Sequence, residues 1–277
     1  MNQIAQPAPG GIDSSDIGAL LARTRRGRRF SQMDLALEAG ISPRHLSFVE
    51  TGRARPSRAL VLRLCEALEV PPRDTDVFLL AAGFAPAHRE TPLESPAMTE
   101  VLAALRLMLE RHTPLPSVAL DGHWDIVMVN AAYGAMMDAM LAAGADPAAG
   151  TGPMTPLDLL PAPRPNMLRL LCHPQGARKH VLNWPEVTRA VLQRAQQETR
   201  SAHHPGAREI LDEVMAMPGI KRLMSEEQRG PAPLVVPVEL AGPDGTRLRW
   251  LSTISTLGTA QDLTLRELHI ESFHPAA

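Results

Sequence analysis

The chain has 277 residues, 44% of them hydrophobic, and a net charge of −2. That composition is typical of a soluble globular protein with room for two modest domains, and it excludes disorder throughout. No run approaches the roughly 18 apolar residues of a membrane span, and the start MNQIAQPAPGGIDSSD has neither the basic region nor the apolar core of a signal peptide, so no membrane partner and a cytoplasmic location are expected.

Charge is unevenly placed. Between Arg23 and Arg63 ten arginines stand against Asp34, Glu38 and Glu50, a window of net +7 that leaves −9 for the rest of the chain. A basic stretch joined to an acidic remainder is the electrostatic footprint of a DNA-binding module attached to a partner domain; a solvated surface is the plainer alternative.

In chain order, residues 1–15 read as a disordered tail. Ile17, Leu20 and Leu21 then begin an amphipathic helix that runs into RTRRGRR. Ser31, with Asp34 three residues on, caps a second helix starting at Gln32, whose inner stripe is Leu35, Ala36 and Ala39 and whose end is Gly40. Ser42-Pro43 supplies the cap and first residue of a third helix, with Leu46 and Val49 inward and Gly52 closing it. Ser57 caps a fourth, with Leu60, Leu64 and Leu68 on one side, and PPRDTDVFLLAAG makes a fifth.

Helices of about eight residues do not stand alone, so these must hold one another. Counting from Gln32, a small residue falls fifth (Ala36), glycine ninth (Gly40), and aliphatics fifteenth and eighteenth (Leu46, Val49). That is the spacing of a helix-turn-helix: Ala36 lets the next helix cross closely, Gly40 makes the turn, and Leu46 and Val49 anchor the crossing helix. The third helix then enters the major groove, with Pro43, Arg44, His45, Ser47 and Phe48 outward. Arg44 is the first candidate for base readout through a bidentate pair with guanine, followed by His45 and Ser47. Gln32, Ser42, Thr51, Arg53, Arg55 and Arg58 suit phosphates. For any one arginine an exposed, solubilising charge is the competing reading.

SPRHLSFVETGRARPSRALVLRLCEALEVP followed by FLLAAGFAP resembles the Cro/C1-type (XRE-like) helix-turn-helix regulators, in particular those with an MmyB-like C-terminal domain. The resemblance implies an all-α, five-helix DNA-binding domain over residues 16–88.

Residues 89–97, with two prolines among charged residues, read as a linker. A second unit over 98–277 follows. Met98 to Arg111 is helical, with Val101, Leu105 and Met108 or Leu109 on one side. SVALDGHWDIVMVN reads as two strands about an Asp-Gly turn, ending on Asn130 as the cap of another helix. Beyond the loop ADPAAGTGPMTP come helices near 166–172, 184–200 and 206–217. LVVPVEL and TRLRWLSTISTLG form a hairpin, and LHIESFHP adds a last strand. Strands at both ends with helices between imply an antiparallel sheet covered on one side, an α+β unit.

These elements resemble a PAS-like sensor, and NMLRLLCHPQG, NWPE and STISTLGTAQDLTLRELHIESFHP are similar to the MmyB-like family as well. The resemblance implies a regulatory domain whose apolar cavity takes a small molecule, fatty-acyl-like or otherwise hydrophobic, with no other cofactor. Trp124, Met128, Tyr133, Met136, Trp184 and Trp250 are candidates to line it, with ordinary core packing as the alternative for each. Arg169 is a candidate for a carboxylate headgroup and Thr253 for a ligand contact. Cys172, His173 and His180 lack a fourth metal ligand at recognisable spacing, so no metal site is expected. Residues 98–277 contain no nucleophile elbow, phosphate loop, dinucleotide fingerprint or zinc-protease motif, which points away from catalysis. The expectation is a transcription regulator, a repressor, acting as a homodimer on an imperfect palindrome of double-stranded DNA. An enzyme domain or a protein-interaction domain fused to the DNA-binding head are the alternatives.

Overall fold

The computed structural model of the protein describes residues 15–144, 164–201, 205–226, 235–242, 246–258 and 260–276. The expected tail at 1–15 falls outside them except for Ser15, as do the loop after residue 144 and the tip of the last hairpin. The chain divides into two compact units, the first running to Arg89 and the second beginning at Glu90.

The first unit is five helices: α1 (Ser15–Gly27), α2 (Gln32–Glu38), α3 (Pro43–Glu50), α4 (Arg58–Ala67) and α5 (Pro72–Ala81). Their starts are fixed by local chemistry. The Ser31 hydroxyl accepts from the Asp34 amide while the Asp34 carboxylate accepts from the Ser31 amide, a reciprocal capping box. The Ser42 and Ser57 hydroxyls accept from the His45 and Leu60 amides. Gly40 takes φ +64°, the left-handed conformation that lets α2 stop and α3 start three residues later. Leu35, Ala36, Leu46 and Val49 are buried where α2 and α3 meet, in one core with Leu21, Leu64 and Leu79. Past α5, the chain is tied back by Asp76, which accepts from the Ala87 amide at 2.7 Å and lies 3.1 Å from His88 Nδ1.

The second unit is built on five antiparallel strands: β1 (Ser117–Leu120), β2 (Ile126–Val129), β3 (Val238–Ala241), β4 (Arg247–Thr256) and β5 (His269–Ala276), in the order β2-β1-β5-β4-β3. The first and last parts of this unit therefore pair at its centre, with Val118 opposite Glu271 and Ile254 opposite Glu271 on the other side. Helices α7 (Ala131–Gly144), α8 (Met167–Cys172), α9 (Trp184–Ser201), α10 (Pro205–Ala216) and α11 (Ile220–Ser225) follow β2 in the chain, and α12 (Leu263–Glu267) precedes β5. The main core joins Val118, Leu120 and Phe273 of the sheet to Leu168, Leu192 and Val214 of the helices.

The sheet is covered on more than one side. Helix α6 (Thr99–Arg111) places Leu105 and Leu109 against Ala119 and Ile270, whose side chains alternate with those of the main core. Residues 89–97 do not hang free: from Glu90 onward they fold with the second unit, where the Thr91 hydroxyl donates to Asp262 at 2.6 Å and Leu93 is buried. Asn130 closes the turn into α7 with its whole amide: Oδ1 accepts from the Ser117 and Tyr133 amides, and Nδ2 donates to the Leu109 and Leu115 carbonyls. A buried amide side chain so completely satisfied is a rigid joint.

Candidate functional site

In the first unit, capping leaves the start of α3 outward. Pro43, Arg44 and His45 are exposed, while Ser47 and Phe48 are half-buried. The Arg44 guanidinium lies 5.3 Å from the centre of the Phe48 ring, a cation–π contact that holds the side chain along the helix. Arg53 and Arg55 are exposed on the segment after α3, and Arg58 is exposed at the start of α4. Ser42 is exposed with its hydroxyl engaged as a cap, and the exposed Thr51 donates its hydroxyl to the Ser47 carbonyl at 2.7 Å.

Behind this surface lies a network the sequence did not announce. Glu50 receives Arg25 through both oxygens, at 2.7 and 3.0 Å, and the Gln32 amide at 2.7 Å. Arg25 also donates to the Phe30 carbonyl. Thus α1, α2 and α3 are joined at one carboxylate. Burial pushes the Glu50 acid up, but the hydrogen bonds from Arg25 and Gln32 and the charges of Arg25 and Arg26 outweigh it and hold it below its ordinary value. Arg25 is therefore a structural fork, and Gln32 shares its amide with Glu50.

In the second unit a cavity of about 90 Å³ lies between the sheet and helices α7, α8 and α9. Trp250, Glu271 and Phe273 form its sheet wall, Tyr133, Met136 and Met137 come from α7, and Met167, Leu170 and Leu171 from α8. A second space of about 270 Å³ beside β2 and α7 shares Tyr133, Met137 and Leu170 with the first. Three methionines on the cavity wall suit occupants of differing shape, because the unbranched thioether repacks at little cost.

Residues 101–277 match the family model described as the MmyB-like transcription regulator ligand binding domain, and residues 16–78 match a helix-turn-helix domain model. The chain belongs to the MmyB-like transcription regulators. It is a ligand-sensing regulator with a DNA-binding helix-turn-helix head. Among solved structures, the restriction-modification controller protein C.AhdI from Aeromonas hydrophila is 29% identical over 22% of this chain and 94% of that one, with a TM-score of 0.22. The clp gene regulator ClgR from C. glutamicum is 28% identical over 27% of this chain and 92% of that one, with a TM-score of 0.23. No curated protein matches the chain.

Within the MmyB-like domain, the cavity brings together Trp124, Tyr133, Met136 and Trp250 of the residues singled out from sequence. The other four lie elsewhere. Trp184 is a core pin: its Nε1 donates to the Leu171 carbonyl at 2.8 Å and Arg178 stacks on its ring. Met128 packs against the α6 side of the sheet and borders the second space. Arg169 is held by Glu213 through two nitrogens. Thr253 is exposed on β4 with its hydroxyl 2.9 Å from His274 Nε2. Strand alternation explains the last case, since Thr253 is an odd step from Trp250 and turns to the opposite face. By the same count Glu271 and Phe273 share the cavity face. Both belong to the LHIESFHP strand, and register against β1 was the signal needed to find them.

Cys172 in this domain and Cys65 in the head are free and buried, and burial pushes each thiol up to about 12. Neither has the character of a reactive thiolate.

Proposed function

We propose that this MmyB-like regulator acts as a homodimeric repressor in the cytoplasm, reading an imperfect palindrome through α3 and holding a hydrophobic effector in the cavity of its second unit without chemically altering it. Arg44 reads bases, with His45 and Ser47 beside it. Arg53, Arg55, Arg58, Thr51 and the amides at Ser42 hold phosphates, with the shared amide of Gln32 at their edge. The observation that carries the effector reading is the apolar cavity walled by Tyr133, Trp250, Phe273 and three methionines. Effector binding shifts the protein between DNA-competent and incompetent states by no more than its difference in affinity for the two.

Native mass spectrometry of the full-length protein, before and after denaturation and with an operator-containing duplex, tests the reading. Two copies per duplex, with a small molecule that shifts this occupancy and is recovered unchanged, support it. A monomer on the duplex, turnover of the molecule, or duplex occupancy indifferent to every molecule carried by the protein would count against it.

A further inference from the structure

Glu271 is out of place by composition. It lies on β5, the central strand, on the face that supplies the main core, and it lines the cavity beside Tyr133, Trp250 and Phe273. No lysine, arginine or histidine is among the described residues that line this cavity. Arg169 is bound by Glu213 and is not in the wall. Arg194 of α9 acts on Glu271 by its charge, but it stacks over Trp124 and pairs with Glu198.

Two donors share the wall with this acid. The Tyr133 hydroxyl is buried with the Met167 sulfur 4.0 Å away, a weak acceptor. The Nε1 of Trp250 is buried and has no hydrogen-bond partner among the described residues. An N–H in that state gains from any acceptor that enters. Burial pushes the Glu271 acid up, against a hydrogen bond with Ser252 and the charge of Arg194, so this environment disfavours further negative charge beside it.

We propose that Glu271, Tyr133 and Trp250 are the polar end of the cavity, and that they select an uncharged apolar ligand with a carbonyl acceptor, such as an ester, amide or lactone, over one with an ionised carboxylate. This rests on the reading of the cavity as the effector site. A carbonyl oxygen accepts from Trp250 and Tyr133 and adds no charge beside the acid. A carboxylate brings a bare negative charge beside this acid on a wall whose lining holds no cation, a cost that rises as water is excluded. An alkylammonium would pair with an ionised Glu271 but leave both donors unmet. The apolar tail packs against Tyr133, Met137 and Leu170, which also border the second space.

Titration calorimetry and tryptophan fluorescence of the full-length protein with methyl octanoate, octanoate and octylamine at one near-neutral pH test this. The ester is expected to bind about tenfold or more tightly than either charged probe. Glu271→Gln strengthens octanoate and narrows the preference to a few-fold, and Trp250→Phe weakens the ester by about tenfold. Octanoate or octylamine matching the ester, or discrimination unchanged in Glu271→Gln, overturns the selectivity and leaves the effector cavity standing. Binding of none of the three overturns both. Should Glu271→Gln fail to fold, the order of affinities in the unaltered protein and the Trp250→Phe result decide.

Discussion

Gly18 sets how closely α1 crosses α3. A Cβ at this position would come within 2.5 Å of the Glu50 carbonyl oxygen and 2.8 Å of that of Val49. Both are main-chain atoms, so no rotamer change relieves the contact, and the two helices must part by about 0.5 Å or more in a core that is otherwise close-packed. Overpacking of this kind costs about 1–3 kcal/mol, and the better helix propensity of alanine offsets about 1 kcal/mol of it. With backbone meeting backbone the upper part of that range applies, so Gly18→Ala destabilises the head by about 1–2 kcal/mol. Gly27, in the same helix, has nothing within 4 Å of its Cβ position. Gly27→Ala thus isolates propensity and leaves stability unchanged or raised by up to about 1 kcal/mol. All three tryptophans and the one tyrosine lie in the second unit. Tryptophan fluorescence in a denaturant titration of the full-length protein therefore follows that unit, while helical circular dichroism follows the head as well. The expected result is a circular-dichroism transition moved to lower denaturant for Gly18→Ala alone, with fluorescence unmoved. If Gly18→Ala unfolds together with Gly27→Ala, at or above the unaltered protein, the close crossing does not exist.

Ala36 is completely buried between α2 and α3, so Ala36→Leu should lower head stability by about 1–3 kcal/mol and abolish operator binding, checked by the same denaturation and by gel shift. Arg44→Ala should cost about 1–3 kcal/mol on the operator and little on random duplex; equal losses on both would remove Arg44 from base readout. Glu50 is held below its ordinary value of 4.5. The unfolded chain therefore takes up its proton first as pH falls; the stability Glu50 contributes is complete above that ordinary value and is lost as pH drops toward the lowered folded one. Glu50→Gln should flatten the acid limb of head stability, measured by circular dichroism against pH, and an unchanged limb would deny the Arg25 pairing its role. Duplex affinity should fall with salt at a slope near −0.9 per phosphate neutralised, and a flat response would be incompatible with phosphate contacts by Arg53, Arg55 and Arg58.

The head was nearly all legible because its signals are local. The starts of α2, α3 and α4 are each a serine with a partner amide three residues on, and Gly40 requires φ > 0 where the chain turns. Such features act within four residues and leave a mark at fixed spacing. The Arg25–Glu50 pair spans 25 residues and leaves none. Counted with the other arginines, Arg25 looked like DNA-facing charge, yet its guanidinium is spent inside the unit. The phosphate-facing charge of the head is thus smaller than its composition implies, and the salt slope should be set against the exposed arginines after α3 and not against all ten.

The second unit was legible as elements and poorly legible as a site, for a reason that belongs to sheets. Side chains along β4 and β5 alternate between faces, and which face meets the helices depends on pairing between β1 and β5, some 150 residues apart, at Val118 with Glu271 and Ser117 with Ser272. Side-chain size and apolarity therefore sorted the candidates only in part. They found Trp124, Tyr133, Met136 and Trp250, placed Trp184 in a cavity where it serves as a pin in the core, and passed over Glu271. A glutamate in an amphipathic strand reads as solvent-facing until register turns it inward. Once register is known, the same residue becomes the most informative one in the cavity, because an apolar wall tolerates a carboxyl only with partners to satisfy it. Ser252 answers for part of that need, and what remains points to the chemistry of the ligand.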